Sequence, residues 1–250
     1  MTITAVALAG LPEAQAGDDP AQLIAAAMPA GSPVPGDVLV VAHKFISKAE
    51  GRTRALSSVT PGERAAALAG ELGKDPRHVQ VVLDETREVR RAARGVLICV
   101  THHGFVCANA GVDASNAPDG DTVILLPSDP DRSARALRRG LRERLGVAPA
   151  VVITDSFGRA WRHGQCDVAI GCAGLSALED WRGRSDARGR ELRATVIAIA
   201  DELAAAADLV RAKDAMQPAV IISGAGRHVT DSDGVGVRPL LRGDAEDLFR

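Results

Sequence analysis

Apolar and polar positions alternate along the chain in blocks that predict strands and helices in mixed order. Residues 2–9 are short and apolar and read as a strand, followed by a turn at Gly10-Leu11-Pro12-Glu13. Asp37-Val38-Leu39-Val40-Val41-Ala42 and Val151-Val152-Ile153 are β-branched-rich runs, the pattern of buried strands. Further strands are expected at Val96–Val100, Asp121–Leu126 and Ala219–Ile222. Helices are expected over roughly 20–29, 61–73, 131–146 and 188–213. Asp18-Asp19-Pro20 opens the first, because proline suits the first helical turn, and Asp129-Pro130 opens the third. The last rests on Leu192, Val196, Ile199, Leu203 and Val210, which fall near helical period. Residues 76–94 fit a strand or a helix. Residues 158–186, with five glycines and many polar side chains, read as loops beside a ligand. The fold class is α+β, a mixed α/β arrangement of one large or two small domains.

Three stretches carry candidate chemistry. The run Thr154-Asp155-Ser156-Phe157-Gly158-Arg159 sets a carboxylate and a hydroxyl at the C-terminal end of a strand. Such oxygens suit hard cations such as Mg²⁺ or Mn²⁺, and Arg159 and Arg162 would suit phosphate or carboxylate oxygens. Asp155 and Ser156 would equally serve as a cap for the next segment. In His43–Arg52, Ser47, Lys48 and Arg52 would surround a phosphate, with Gly51 letting the backbone come close. The same run also fits a solvated charged loop. Asp113 and Asn116 stand three residues apart, on one side of a turn. One would bind a metal and the other read a nucleotide or its phosphates; a helix cap followed by surface polar residues fits equally. Adjacent His102 and His103 point to opposite faces of a strand, which disfavours a shared metal. His163 and Cys166 lack the second pair that a zinc site needs.

Composition narrows the partners. Of 250 residues, 46% are hydrophobic and 25% charged, as in ordinary globular proteins, and the formal net charge of −2 directs the chain to neither nucleic acid nor membrane surface. Aromatic residues at 2% leave little for stacking on bases. Four cysteines without a C-x-x-C pair, and no secretory signal, predict reduced thiols and a cytoplasmic protein. No apolar run reaches the length of a membrane span. From the residues alone the expectation is an enzyme with metal-dependent phosphate chemistry.

At these residues the sequence resembles the coenzyme F420-0:L-glutamate ligases, the F420 γ-glutamyl ligase family. The shared stretches are Gly10-Leu11-Pro12-Glu13, Ser47-Lys48-Ala49-Glu50-Gly51-Arg52, Ala108–Asn116, Leu126-Pro127 with Asp129-Pro130, Thr154–Arg159, Arg162–Gln165, Asp167–Gly171 and Asp247-Leu248-Phe249-Arg250. They keep family order over nearly the whole chain. The resemblance implies a GTP-dependent ligase that adds L-glutamate to F420-0, and to F420-1, through a γ-linked amide. It implies Mg²⁺ or Mn²⁺, K⁺, and a two-domain fold in an intertwined homodimer. The subdomains would be 1–80 with 185–250, and 81–184, with no nitroreductase-like domain after them. Carried over by motif, GTP contacts would be Leu11, Pro12, Glu13, Ala14, Ser47, Lys48, Arg52 and Asn116. Metal ligands would be Asp113, Asp155 and Ser156, with Lys48, Arg52 and Asp155 acting in catalysis. The family's acid or amide after the long helix is replaced here around Lys213-Asp214, which puts a second metal contact in question. The alternatives are a metal-dependent phosphohydrolase or phosphotransferase, and a non-catalytic nucleotide- or F420-binding module.

Overall fold

The computed structural model describes residues 2–117, 119–212 and 214–247. The first part of the chain forms β1 (Thr4–Ala7), α1 (Pro20–Ala27), β2 (Val38–Ala42), α2 (His43–Ala49) and β3 (Thr53–Ala55). Next come α3 (Glu63–Leu72), α4 (Pro76–Asp84), β4 (Thr86–Ala93), β5 (Val96–Thr101), β6 (Val106–Ala108) and β7 (Thr122–Ile124). The remainder holds α5 (Pro130–Leu145), β8 (Ala150–Arg159), β9 (Arg162–Ala173), β10 (Glu179–Asp180), β11 (Val196–Ile197), α6 (Ile199–Asp208) and β12 (Ala219–Ser223). This is the mixed α+β class expected from the pattern.

Three helices start at an Asp-Pro pair. Asp19, Asp75 and Asp129 each accept a backbone N–H of the first turn, and the proline that follows needs no partner there. Gly146 closes α5 in the left-handed conformation, at φ 73°. The main sheet has the order β1-β12-β2-β8-β9. Its pairs are antiparallel except β2 with β8, which run parallel. Consecutive residues of β2 and of the first half of β8 are buried, so both faces of the sheet are covered there. Helices α5 and α6 both pack on β8 and β9.

Two hydrophobic cores result. The larger lies around the main sheet and draws on residues 8–49 and 126–237, with Phe105. The smaller draws on Leu56 to Leu125, from α3, α4 and the sheets β4-β5-β6 and β3-β7. The division expected at 81–184 does not follow these cores. β8 and β9 belong to the main sheet, because the parallel pairing with β2 holds them there, while α3 and α4 belong with the smaller core.

Four local expectations are corrected. The run after Ala42 is a helix, α2, because Phe45, Ile46 and Ala49 bury one side of it. Residues 76–94 are both helix and strand, split at Glu85. Part of the glycine-rich region is the twelve-residue β9, hydrogen-bonded along β8. Gly171 fits inside it because the Pro130 backbone occupies the space a Cβ would take. The last helix covers only Ile199–Asp208, since Gly183 and Gly189 turn the exposed segment before it at positive φ.

Arg52 joins the two cores. Its Nε donates to Leu126 O at 2.9 Å, and its guanidinium meets Glu85 Oε2 at 2.7 Å. Arg52→Met leaves both acceptors without this partner, and should cost about 1–3 kcal/mol of stability. Urea unfolding measures it, and a variant as stable as the wild type would contradict the tie.

Candidate active site

The parallel register sets Ala42 opposite Thr154. β2 ends at Ala42, so His43-Lys44 leave it beside Asp155-Ser156. These two lie inside β8, not at its C-terminal end as expected, because β8 runs on past β2 paired with β9 alone. The end of a parallel strand is a usual place for a ligand. A cavity of about 760 Å³ opens there, within the range of small-molecule sites. Leu11, Pro12, Glu13 and Ala14 bound it from the loop after β1, and Lys44 and Lys48 from α2. Asp113, Ser115 and Asn116 close a second side, β8 and β9 a third, and residues from Asp208 to Pro218 a fourth.

The cavity gathers most of the residues singled out in the sequence: Leu11 to Ala14, Lys48, Asp113, Asn116, Asp155 and Ser156. Two stand outside its lining. Ser47 is fully buried beneath it, with Oγ 3.2 Å from His43 Nδ1. Arg52 faces a smaller cavity of about 230 Å³ with Asp84 and Glu85. Arg159 bonds the His163 carbonyl within the exposed end of the β8–β9 hairpin. His102 and His103 lie against the carbonyls of Asp84 and Pro127, in keeping with structural roles. Lys213 lies outside the described residues.

Each described lysine and arginine lining the cavity has an acid partner. Lys44 and Lys48, four residues apart on one side of α2, reach Asp113 Oδ2 and Glu13 Oε1, each at 2.6 Å. Arg211 pairs with Asp167, which is 2% exposed. Asp167 also accepts the Ser156 hydroxyl at 2.6 Å and the Thr154 hydroxyl at 2.8 Å. A hydroxyl that donates in this way keeps lone pairs with which to accept or ligate. Asp155 Oδ1 accepts the Ser156 N–H at 2.8 Å and lies 3.3 Å from Nε2 of the buried His43. Burial pushes the Asp113 carboxyl up, but hydrogen bonds from Lys44 and Ser115 outweigh it and hold its pKa below the ordinary value.

The donor set fits a hard divalent cation: carboxylates Asp113 and Asp155 and the hydroxyl of Ser156 share one cavity. Among the described residues no three acidic, histidine or cysteine side chains form a ready-made metal group. Substrate oxygens would thus have to complete the coordination. Sequence reading missed His43, Lys44 and Arg211, and did not single out Asp167. Lys44 carried one signal, its helical spacing from Lys48. Asp167 became legible only through the hairpin register that sets it opposite Ser156.

Acids and lysines paired around a cavity beside the parallel strands β2 and β8 suit an α+β enzyme with a small-molecule cleft. The chain matches the model of the F420-0:Gamma-glutamyl ligase family over residues 10–224. It is 45% identical to the coenzyme F420:L-glutamate ligase of Methanothermobacter thermautotrophicus, over all of both chains. It is 47% identical to that of Methanopyrus kandleri, over 94% of this chain and 92% of the relative. With that of Haloarcula marismortui the identity is 44%, over 98% and 94%. The chain belongs to the F420-0:γ-glutamyl ligase family and is an enzyme of that type. Among the described residues no helix is long and apolar enough to cross a membrane.

Asp167→Ala strips Arg211 of its buried partner and should destabilise the protein by about 3–5 kcal/mol. Asp167→Asn, which still accepts hydrogen bonds, should cost less. Thermal and urea unfolding of the two variants checks the order.

Proposed function

We propose that the enzyme joins L-glutamate to coenzyme F420-0 through a γ-linked amide at the expense of GTP, and takes F420-1 as a further acceptor. The relatives' names supply the coenzyme and the amino acid. The observation that supports a metal–nucleotide co-substrate is the charge of the cavity. Among the described lining residues, Glu13, Asp113, Asp155, Asp167, Asp208 and Asp214 face Lys44, Lys48 and Arg211. Such an excess of acids repels a free nucleoside triphosphate and accepts one that arrives with divalent cations.

A carboxylate must be activated before an amine can displace its oxygen. The γ-phosphoryl group of GTP passes to the acceptor carboxylate, which gives an acyl phosphate and GDP. The amine of glutamate then attacks the acyl carbon, phosphate leaves, and the amine gives up a proton. The protein's part is positioning and charge neutralisation. Leu11 to Ala14 and Asn116 hold the nucleotide, and Lys48 turns from Glu13 to its phosphates. Ser47 and Arg52, which stand outside the cavity lining, complete the GTP contacts of this reading. Asp113, Asp155 and Ser156 would hold Mg²⁺ or Mn²⁺, which supplies neutralisation of phosphate charge when bound. K⁺ is a further ion in this reading, and the enzyme acts in the cytoplasm as a homodimer. Exposed Val106 on β6 and Trp161 at the hairpin tip offer apolar surface for that contact.

Mass spectrometry of F420-0 incubated with enzyme, GTP, Mn²⁺ and L-glutamate should reveal a product heavier by one or more glutamyl units. GDP should form only when glutamate is present. GDP in a glutamate-free control without heavier product would favour a phosphohydrolase, and unchanged GTP would favour a binding module. Asp155→Ala should abolish turnover and retain the fold; activity retained at saturating metal would remove Asp155 from the site.

A further inference from the structure

Among the described residues, Lys44 is the one cavity cation whose ammonium spans an expected metal ligand and its neighbour. Its Nζ donates to Asp113 Oδ2 at 2.6 Å, to Ser115 Oγ at 2.6 Å and to Ser115 O at 3.3 Å. Three acceptors match the three donors of an ammonium. Asp113 Oδ1 accepts the Ser115 N–H at 2.7 Å, and Oδ2 also accepts the Ser115 hydroxyl at 2.7 Å. Both carboxylate oxygens are thus engaged, and the side turned to Lys44 already holds a positive charge. A divalent cation arriving at Oδ2 would meet that charge across a single oxygen, at a distance where like charges repel strongly.

The lysine is not locked in place. Its side chain is 21% exposed, and it borders the cavity together with Lys48. A four-carbon stem with a compact charge moves easily between partners, and phosphate is a strong one. We infer that Lys44 is a positioning residue that couples cation binding to nucleotide binding: it covers Asp113 until a nucleotide phosphate draws its ammonium away. This rests on the proposed reading of Asp113 as a metal ligand and of a nucleotide as co-substrate. Coupling of this kind works in both directions, so whatever frees Asp113 also strengthens its hold on the cation.

The test is calorimetric titration with Mn²⁺ alone, without nucleotide, on the full chain. Lys44→Met should bind Mn²⁺ at least tenfold more tightly than the wild type, whereas Lys44→Arg, which keeps a cation, should stay within about threefold of it. In a separate titration with GDP and chelator, Lys44→Met should bind several-fold more weakly. A purely structural lysine would give equal or weaker Mn²⁺ binding in Lys44→Met, and that result overturns the inference. Circular dichroism checks the fold, and Lys44→Gln replaces Lys44→Met if the latter does not fold. Asp113→Asn separates the two levels. If it leaves Mn²⁺ binding unchanged, the metal-ligand reading itself fails; if it abolishes binding while Lys44→Met has no effect, only the role of Lys44 fails.

Discussion

The structure depends on one pairing, the parallel contact of β2 with β8. Other neighbours in the main sheet run antiparallel, and here β2 ends at Ala42 while β8 runs on beyond it. The register brings His43 and Lys44 beside Asp155 and Ser156, and no loop has to be ordered to do so. β2 and the first half of β8 are buried by Val, Leu and Ile, which fixes their position against the helices. A slip of one residue would turn the buried side chains of β8 to the opposite faces and carry Asp155 out of the cavity. Stability and site geometry are therefore set by the same contacts.

Above that pairing the cavity is organised by charge. Each lysine of α2 rests on an acid from a different part of the chain, and Asp167 gathers Arg211, Thr154 and Ser156 around one carboxylate. The acids outnumber the permanent cations among the described lining residues. The arrangement is stable without ligand because the closest charges are paired, and it suits a polyphosphate that brings its own counterions. Phosphate would compete for the lysines while the cation competes for the acids, so one binding event exchanges partners on both sides.

Much of this was legible in the sequence. The β-branched runs marked the central strands, and the Asp-Pro pairs marked helix starts, since both signals are local. The ordered motifs named the family and most of the residues around the cavity. What escaped notice depends on tertiary packing. α2 looked like a charged loop, because its apolar residues are few and its lysines conspicuous. β9 looked like loop, because it carries Gly164 and Gly171, and the need for Gly171 shows only where the Pro130 backbone lies against it. Arg52 read as a phosphate ligand, and the structure adds a tie to Glu85 and Leu126, a contact between distant segments that no spacing announces. Asp167 gains its place through a hairpin register, and Lys44 through a partner 69 residues away.

The central claim is that the carboxylates of Asp155 within β8 and Asp113 after β6 hold a cation together with a nucleotide. Crystals grown with Mn²⁺ and GDP, measured at the manganese absorption edge, address it directly. The account predicts an anomalous peak about 2.0–2.3 Å from oxygens of Asp113, Asp155 and Ser156, with a phosphate oxygen of GDP in the same shell. A peak bound elsewhere, or GDP seated in the cavity with no peak beside these residues, would contradict it.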